Sequence, residues 1–365
     1  MAKVRIAGVG RDGEVLAGHW PACDYSGSVL HFTHRVHAMK KTIAVARRLP
    51  QAVLDQLSQF GGVVVAPTDA GLDKHGLVAL MRDADAALVT GLDAIGAEVI
   101  SGCPKLRLIC NIGVGYDNID LAVASARGIT VTNTPGAMDD AVADLVFGLI
   151  LGVARRLHQA DAFVRGGQWT PANPSAFGLG LDVSRKTLGI IGFGRIGKVI
   201  ARRALGFEMR TLYCNSTRVD PGIEAALGAT QVDMDTLLAQ SDYVVVQVPY
   251  TPETHHLIGA EQLARMRKSA VLIHAGRGGV VDDAALAAAL KAGTIAAAGL
   301  DCVENEPHVN PALLGCPNVL FTPHIGSATA ATRMNMVMMA LKNMAVGLQG
   351  GTPPNSVTTR TASPP

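Results

Sequence analysis

The stretch that most constrains this chain is Thr187–Ile200, TLGIIGFGRIGKVI, in which an apolar strand pattern turns through three glycines directly into a helical one. Gly192, Gly194 and Gly197 match G-x-G-x-x-G: the first permits the tight turn, the second lets backbone approach a pyrophosphate, and the third lets helix pack on strand. The helix expected from Arg195 and Ile196 to about Phe207 offers its first N–H groups to phosphate oxygens. Gly8–Gly13 has the same glycine spacing after the strand-like Val4–Ala7, but Gly18 and Pro21 fall where its helix would need an interior. Only the second motif continues into an apolar helical face (Ile200, Ala204, Leu205) and then a strand, TLYCN.

At 365 residues the chain suits two domains of ~100–200 residues each. Hydrophobic content of 48% with few aromatics fits an α/β core of Val, Ile, Leu and Ala, and no continuous apolar run is long enough to span a bilayer. A net charge of +2 gives no reason to expect nucleic acid or an anionic membrane as partner. The six cysteines lie scattered without metal-ligand spacing, so reduced thiols, no bound metal and a cytoplasmic location without a signal peptide are the expectation.

Residues 1–38 hold four of the eleven histidines and one of the two tryptophans without a periodic pattern. They read as an unstructured extension, and Met39-Lys40-Lys41 before TIAVA reads as a native start, which would make the preceding residues a mis-assigned upstream frame. From Lys41 strands and helices alternate: TIAVA, a helix near 51–60, VVVA, a helix near 74–82, AALVT, a helix near 94–101, LRLIC and ITVTN. Such alternation predicts a parallel sheet covered on both faces. Thr134-Pro135-Gly136 breaks the chain before a long apolar helix from about Asp140 to Arg156, and a loop follows at 166–180. A second series of six strands is expected, TLGIIG, TLYCN, YVVVQVP, AVLIHAG, AAAGLDC and NVLFTPH, and then a Met-rich packing helix over 329–348. The segment Asn111–Asp120, NIGVGYDNID, reads locally as an ordinary tight turn, though exposed N–H groups at Val114 and Gly115 would suit a carboxylate.

Three ionisable residues stand at or just past the carboxyl ends of expected strands: Arg277 in HAGRGGVVD, Glu306 in GLDCVENEP and His324 in TPHIGSAT. Ligands bind at that edge of doubly wound sheets. Each alone could be an ordinary surface arginine, loop carboxylate or loop histidine. Together with NIGVGYDNID, GFGRIGKVIARR and TPETHHLIGAEQLARM they make the chain resemble the D-isomer-specific 2-hydroxyacid dehydrogenase family from Lys41 to Asn355, and within it the glyoxylate/hydroxypyruvate reductases and bacterial 2-ketogluconate reductases. The resemblance implies two Rossmann-like doubly wound domains around a cleft, 39–136 with 329–353 for substrate and 137–328 for the coenzyme, with a tail over 354–365. It also implies a homodimer through the helix near 140–156 and the loop after it.

On that resemblance Arg277 binds the substrate carboxylate and carbonyl, His324 is the acid/base, Glu306 pairs with it, and the Val114 and Gly115 amides hold the carboxylate. Coenzyme contacts are implied at the glycine motif, at Ala275 and Gly276, and at Asp301, beside the nicotinamide carboxamide. Imidazolium can protonate the carbonyl oxygen of a 2-keto acid near neutral pH, and an adjacent carboxylate favours its charged form. Two departures from the family put the pocket's shape in question: Cys302-Val303 where an aromatic is common, and His274 in place of a smaller polar residue. At the end of TLYCN no acid stands ready for the ribose hydroxyls; Asn215, Ser216 and Thr217 could donate to a 2′-phosphate and Arg218 neutralise it, so NADP is expected over NAD. The expected reaction is NADPH-dependent reduction of glyoxylate, hydroxypyruvate or 2-ketogluconate. Alternatives are an NAD-linked phosphoglycerate or D-lactate dehydrogenase, or, in another class, a nucleotide-sensing corepressor on the same scaffold.

Overall fold

The computed structural model describes residues 6–9, 15–18, 41–68, 70–172 and 175–358. Within the unit Met1–Lys40, β1 (Ile6–Val9) pairs antiparallel with β2 (Val15–Gly18), Val9 opposite Val15. The expectation of an unstructured extension is corrected at these eight residues, and its remainder lies outside the described ones. The strand that opens the first glycine motif is thus followed by an antiparallel partner rather than by the helix a nucleotide site needs.

Among the described residues of the unit Lys41–Pro365 the strands pair in parallel in two sheets, with one isolated antiparallel bridge from Thr132 to Ser356. The first comprises β3 (Lys41–Val45), β4 (Gly61–Val65), β5 (Ala86–Thr90), β6 (Leu108–Ile112) and β7 (Thr130–Thr132), in the order β4-β3-β5-β6-β7. Strands buried on both faces need unbroken apolar runs, which TIAVA and AALVT supply. One face packs under Leu77, Val99 and Ile100, the other under Val53, Leu57 and the late helix Ala330–Leu348 through Val337, Ala340, Leu341 and Met344. That helix carries its methionines into a core, Met344 fully buried. β6 runs two residues further than LRLIC predicts, so Asn111 belongs to the strand and not to the turn.

The second sheet comprises β8 (Thr187–Ile191), β9 (Arg210–Cys214), β10 (Ala229–Gln231), β11 (Tyr243–Val246), β12 (Val271–His274), β13 (Ala297–Leu300) and β14 (Val319–Phe321), in the order β10-β9-β8-β11-β12-β13-β14. It has seven strands where six are expected. The additional strand is the three-residue edge β10, too short for alternation to reveal. Strand order reverses beside β8, and a crevice therefore opens at the carboxyl ends of β8 and β11.

The long helix runs Asp139–Ala154, with two acids in its first turn opposing the helix dipole. Val142, Val146, Leu149 and Val153 put it in the same core as β8 and β12, and Arg203 ties it to the helix Arg195–Ala204 through Asp140 and Asp144. It ends two residues earlier than predicted. Arg156 takes a left-handed conformation (φ 54°) and a further helix, Leu157–Arg165, follows where the sequence shows none. None of that helix's residues is buried, although Leu157, Ala160 and Val164 recur at helical spacing; its nine residues are too few to separate from the loop that follows.

Candidate active site

His324 lies just past β14 in a left-handed conformation (φ 53°), which costs roughly 1–2 kcal/mol for a residue with a β-carbon. Asp301, at the end of β13, holds it there. Its Oδ1 accepts from Thr322 Oγ1 (2.6 Å) and Ile325 N (2.8 Å), and its Oδ2 from Gly326 N (3.0 Å), so one buried carboxylate ties a hydroxyl before His324 to two backbone amides after it. The imidazole Nδ1 meets Glu306 Oε2 at 2.6 Å, and Val303 N donates to Glu306 Oε1 at 3.1 Å. With Nδ1 so engaged, Nε2 is the nitrogen left to exchange a proton with a ligand. Burial pushes the Glu306 carboxyl up, but the hydrogen bond and charge of His324, the Val303 amide and Arg277 outweigh it, and the net position is below the usual carboxylate range.

Arg277 follows β12. A β-carbon at Gly278 would overlap the Val303 carbonyl, so glycine is what allows the Arg277 loop and the Glu306 loop to touch. The guanidinium crosses to the first sheet: a β-carbon at Gly115 would overlap it, and Nε donates to Asp117 Oδ1 at 3.2 Å. Nη1 donates to Gly276 O at 3.1 Å. Opposite, Asn111 Nδ2 and Asn133 Nδ2 donate to the carbonyls of Gly115 (2.7 Å) and Val114 (2.8 Å). Among the described residues the N–H groups of Val114 and Gly115 have no protein acceptor. Two free amides beside a guanidinium form a cradle for a carboxylate.

At the second glycine motif, Gly192 has φ 95° and a β-carbon there would overlap Gln247 O; one at Gly197 would overlap Gly192 O. Gly194, by contrast, faces open space and begins the helix Arg195–Ala204 with no side-chain cap. The turn is therefore free of side chains where the helix N–H groups emerge, the arrangement a pyrophosphate requires. Beside the carboxyl end of β9 a cavity of about 600 Å3 is lined by residues that include Cys214, Asn215 and Asp233. An NAD(P) molecule fits this donor set, with Ala275 and Gly276 on the next crevice wall.

These residues can be set beside known proteins. The D-isomer specific 2-hydroxyacid dehydrogenase NAD binding domain matches residues 147–326. The glyoxylate reductase of Thermococcus litoralis is 43% identical over 333 residues, 90% of this chain and 100% of that protein. The chain belongs to the D-isomer specific 2-hydroxyacid dehydrogenases. Glyoxylate/hydroxypyruvate reductase B of Citrobacter koseri is 41% identical over 329 residues, 89% of this chain and 100% of its own. Among solved structures, the NADPH-dependent glyoxylate/hydroxypyruvate reductase of Sinorhizobium meliloti, in complex with NADP and malonate, superposes with a TM-score of 0.78 at 36% identity, covering 87% of this chain and 97% of that one. A Thermus thermophilus protein superposes with a TM-score of 0.80 at 39% identity, covering 87% and 100%. As a member of this family the chain is an NAD(P)-dependent oxidoreductase, and no helix among the described residues is long and apolar enough to cross a membrane.

Within this dehydrogenase Arg277, Asp301, Glu306 and His324 stand at the carboxyl edge of the second sheet, Val114 and Gly115 meet Arg277 from the first, and Gly192, Gly194, Arg195, Ile196 and Gly197 form the turn after β8. Arg218 departs from expectation. Its Nη2 and Nε bind Glu224 at 2.8 and 3.0 Å, and the same carboxylate accepts from the buried Tyr213 hydroxyl at 2.6 Å. The arginine charge is thus already paired. Asn215 is also engaged, accepting from Phe193 N and donating to Thr217 O, while Ser216 and Thr217 are exposed. The sequence alone singles out none of Asn111, Asn133 and Asp117, although two of them lie inside NIGVGYDNID; Asn133 and Asp117 act on distant segments and Asn111 on the folded turn four residues on, contacts that spacing does not encode.

Replacing Glu306 by Gln removes the carboxylate that meets His324 Nδ1 and with it the hold on the ring's orientation. The reductive kcat is expected to fall by up to ~10²-fold, the scale of a misplaced reacting group, and steady-state kinetics on both proteins measure it. The lowered Glu306 value also makes its pairing a stabilising interaction present above the ordinary carboxylate range and lost as the pH falls through the lowered value.

Proposed function

We propose that this chain reduces small 2-keto acids to D-2-hydroxyacids with NADPH, glyoxylate and hydroxypyruvate first, 2-ketogluconate as a larger candidate. The observation that carries the reading is the meeting of two lobes at the Arg277 guanidinium, which lies on Gly115 beside two free amides while the Glu306–His324 pair stands at 2.6 Å on the same sheet edge as Arg277. The five-stranded lobe, residues 39–136 with 329–353, is assigned to substrate, and 137–328 to the coenzyme. The nicotinamide, when bound, supplies a hydride to the carbonyl carbon. Arg277 and the Val114 and Gly115 amides hold the carboxylate, Arg277 also stabilises the charge growing on the carbonyl oxygen, and His324 delivers the proton that oxygen needs. Glu306 keeps the imidazole oriented before the transfer and Asp301 fixes the backbone that carries it. The relatives named for glyoxylate and hydroxypyruvate support the substrate class, and no metal ion is required by this scheme.

Substituting His324 by Ala is expected to lower kcat on glyoxylate or hydroxypyruvate by ~10²–10⁴-fold, the usual loss for a general acid. Near-normal turnover in stopped or continuous assays on the best keto acid would remove the residue from the chemistry.

The NADPH preference rests on Ser216 and Thr217 being exposed and on no acid following β9, with Arg218 reaching the phosphate only by sharing its Glu224 partner. Arg218→Ala should then cut kcat/KM for NADPH roughly tenfold, the worth of one charge-assisted contact, and leave that for NADH nearly unchanged. Steady-state kinetics with both coenzymes decide it, and a wild-type preference for NADH ends the assignment.

We also assign a homodimer. Leu157 and Val164 share one face of the unburied helix, and Trp169 (65% exposed) and Leu179 (93% exposed) stand on the segment that Phe177 folds back onto Phe163. Apolar groups crowded in this way ordinarily meet a partner. Light scattering should give twice the chain mass for the wild type and one chain mass for Leu179→Asp combined with Trp169→Ser; a wild-type mass of one chain refutes the assignment.

A further inference from the structure

We propose that Asp117 is a positioning residue that aims the Arg277 guanidinium at the keto acid from the opposite lobe, an inference that rests on the functional reading above. Arginine carries five N–H donors in a rigid plane on a flexible stem, and the orientation of that plane decides whether a carboxylate meets a fork or a single hydrogen. Three contacts fix the plane here. Nε donates to Asp117 Oδ1 at 3.2 Å, Nη1 donates to Gly276 O at 3.1 Å, and Nη2 abuts the α-carbon of Gly115. With Nε and one Nη1 hydrogen committed, one Nη1 and both Nη2 hydrogens have no protein acceptor among the described residues, on a guanidinium that lies against Gly115, whose N–H, like that of Val114, is unpaired. Glu306, the other nearby anion acting on Arg277, pairs with His324 and accepts from the Val303 amide, and it makes no hydrogen bond to the guanidinium, whose side-chain partner is Asp117.

Asp117 is itself delivered from a fixed point. The neighbouring Asn118 donates through Nδ2 to the carbonyls of Thr90 (3.0 Å) and Asp93 (2.8 Å), pinning the loop to the end of β5. The carboxylate therefore belongs to the first sheet and the guanidinium to the second, and their bond forms only when the two sheets stand this close. Arg277 is aimed by closure, not by its own lobe alone. The opposite reading is that Asp117 stands in for the substrate carboxylate and competes with it. The two readings differ in sign, because a positioning acid lowers KM for the keto acid and a competing one raises it.

The test is steady-state kinetics on wild type, Asp117→Ala, Asp117→Asn, Arg277→Ala and the double variant Asp117→Ala/Arg277→Ala, with glyoxylate and hydroxypyruvate, alongside the coenzyme KM and thermal melting. Asp117→Ala should lose up to ~10²-fold in kcat/KM, the scale of a misplaced binding group, mostly through KM for the keto acid. Asp117→Asn, which keeps an acceptor oxygen, should recover part of that loss, and the coenzyme KM and melting temperature should hold. In the Arg277→Ala background the further change should vanish, the mark of residues acting as a unit. An unchanged or lower KM for the keto acid in both Asp117 variants overturns the proposal, as does a full additional loss in the double variant. If Asp117→Ala fails to fold, Asp117→Asn decides by the same KM criterion. A wild-type chain that reduces no keto acid overturns the functional reading and this inference with it, whereas wild-type turnover with indifferent Asp117 variants overturns this inference alone.

Discussion

Two missing β-carbons hold the site open to its own parts. At Gly115 a side chain would occupy the volume of the Arg277 guanidinium, and at Gly278 it would strike the Val303 carbonyl. Loops from β6, β12 and β13 could not then converge, because parallel strands deliver their carboxyl-end loops side by side but not in contact. Glycine supplies the last few ångströms. The charge arrangement follows from that convergence: once the Arg277 and Glu306 loops touch, Glu306 lies within reach of His324, and Asp117 meets Arg277 from across the cleft.

The buried acids do different work from the exposed ones. Asp301 is nearly wholly buried and spends both oxygens on Thr322, Ile325 and Gly326, so it holds a backbone shape that the sequence of the loop would not adopt unaided. A left-handed residue with a β-carbon persists only where its surroundings over-determine it. The sequence reading gave Asp301 a coenzyme contact. Its three protein donors make it first a support for His324, and a carboxylate with about four acceptor sites keeps room for one more donor.

Local chemistry was readable where each residue acts through its own type and place. The glycine motif, the alternation of strand and helix, and the carboxyl-end positions of Arg277, Glu306 and His324 follow from period and spacing alone. What escaped depends on pairing between distant segments or on weak periods. The three-residue β10 is shorter than one alternation test, and the nine-residue Leu157–Arg165 turns its apolar face away from the core of its own chain. Arg218 shows the limit most clearly. Its identity suits a phosphate, but Glu224, six residues on and nearly buried with Tyr213, claims the same charge.

Two departures from the family pattern, His274 and Cys302, act on the loop that carries Arg277. His274 is 1% exposed and its Nε2 lies 2.8 Å from the Arg277 carbonyl, with burial favouring the neutral imidazole over any help from that carbonyl. A neutral ring keeps one N–H, and at this distance it donates it to the Arg277 backbone. Cys302 is likewise buried and donates to Gly276 O, the carbonyl that also receives Arg277 Nη1. Both residues therefore bond to the backbone of the arginine loop and brace it, Cys302 while also lying 3.9 Å from His324 Nδ1. These departures from the family pattern bear on how firmly Arg277 is held, the same quantity that Asp117 is proposed to govern from the other side of the cleft.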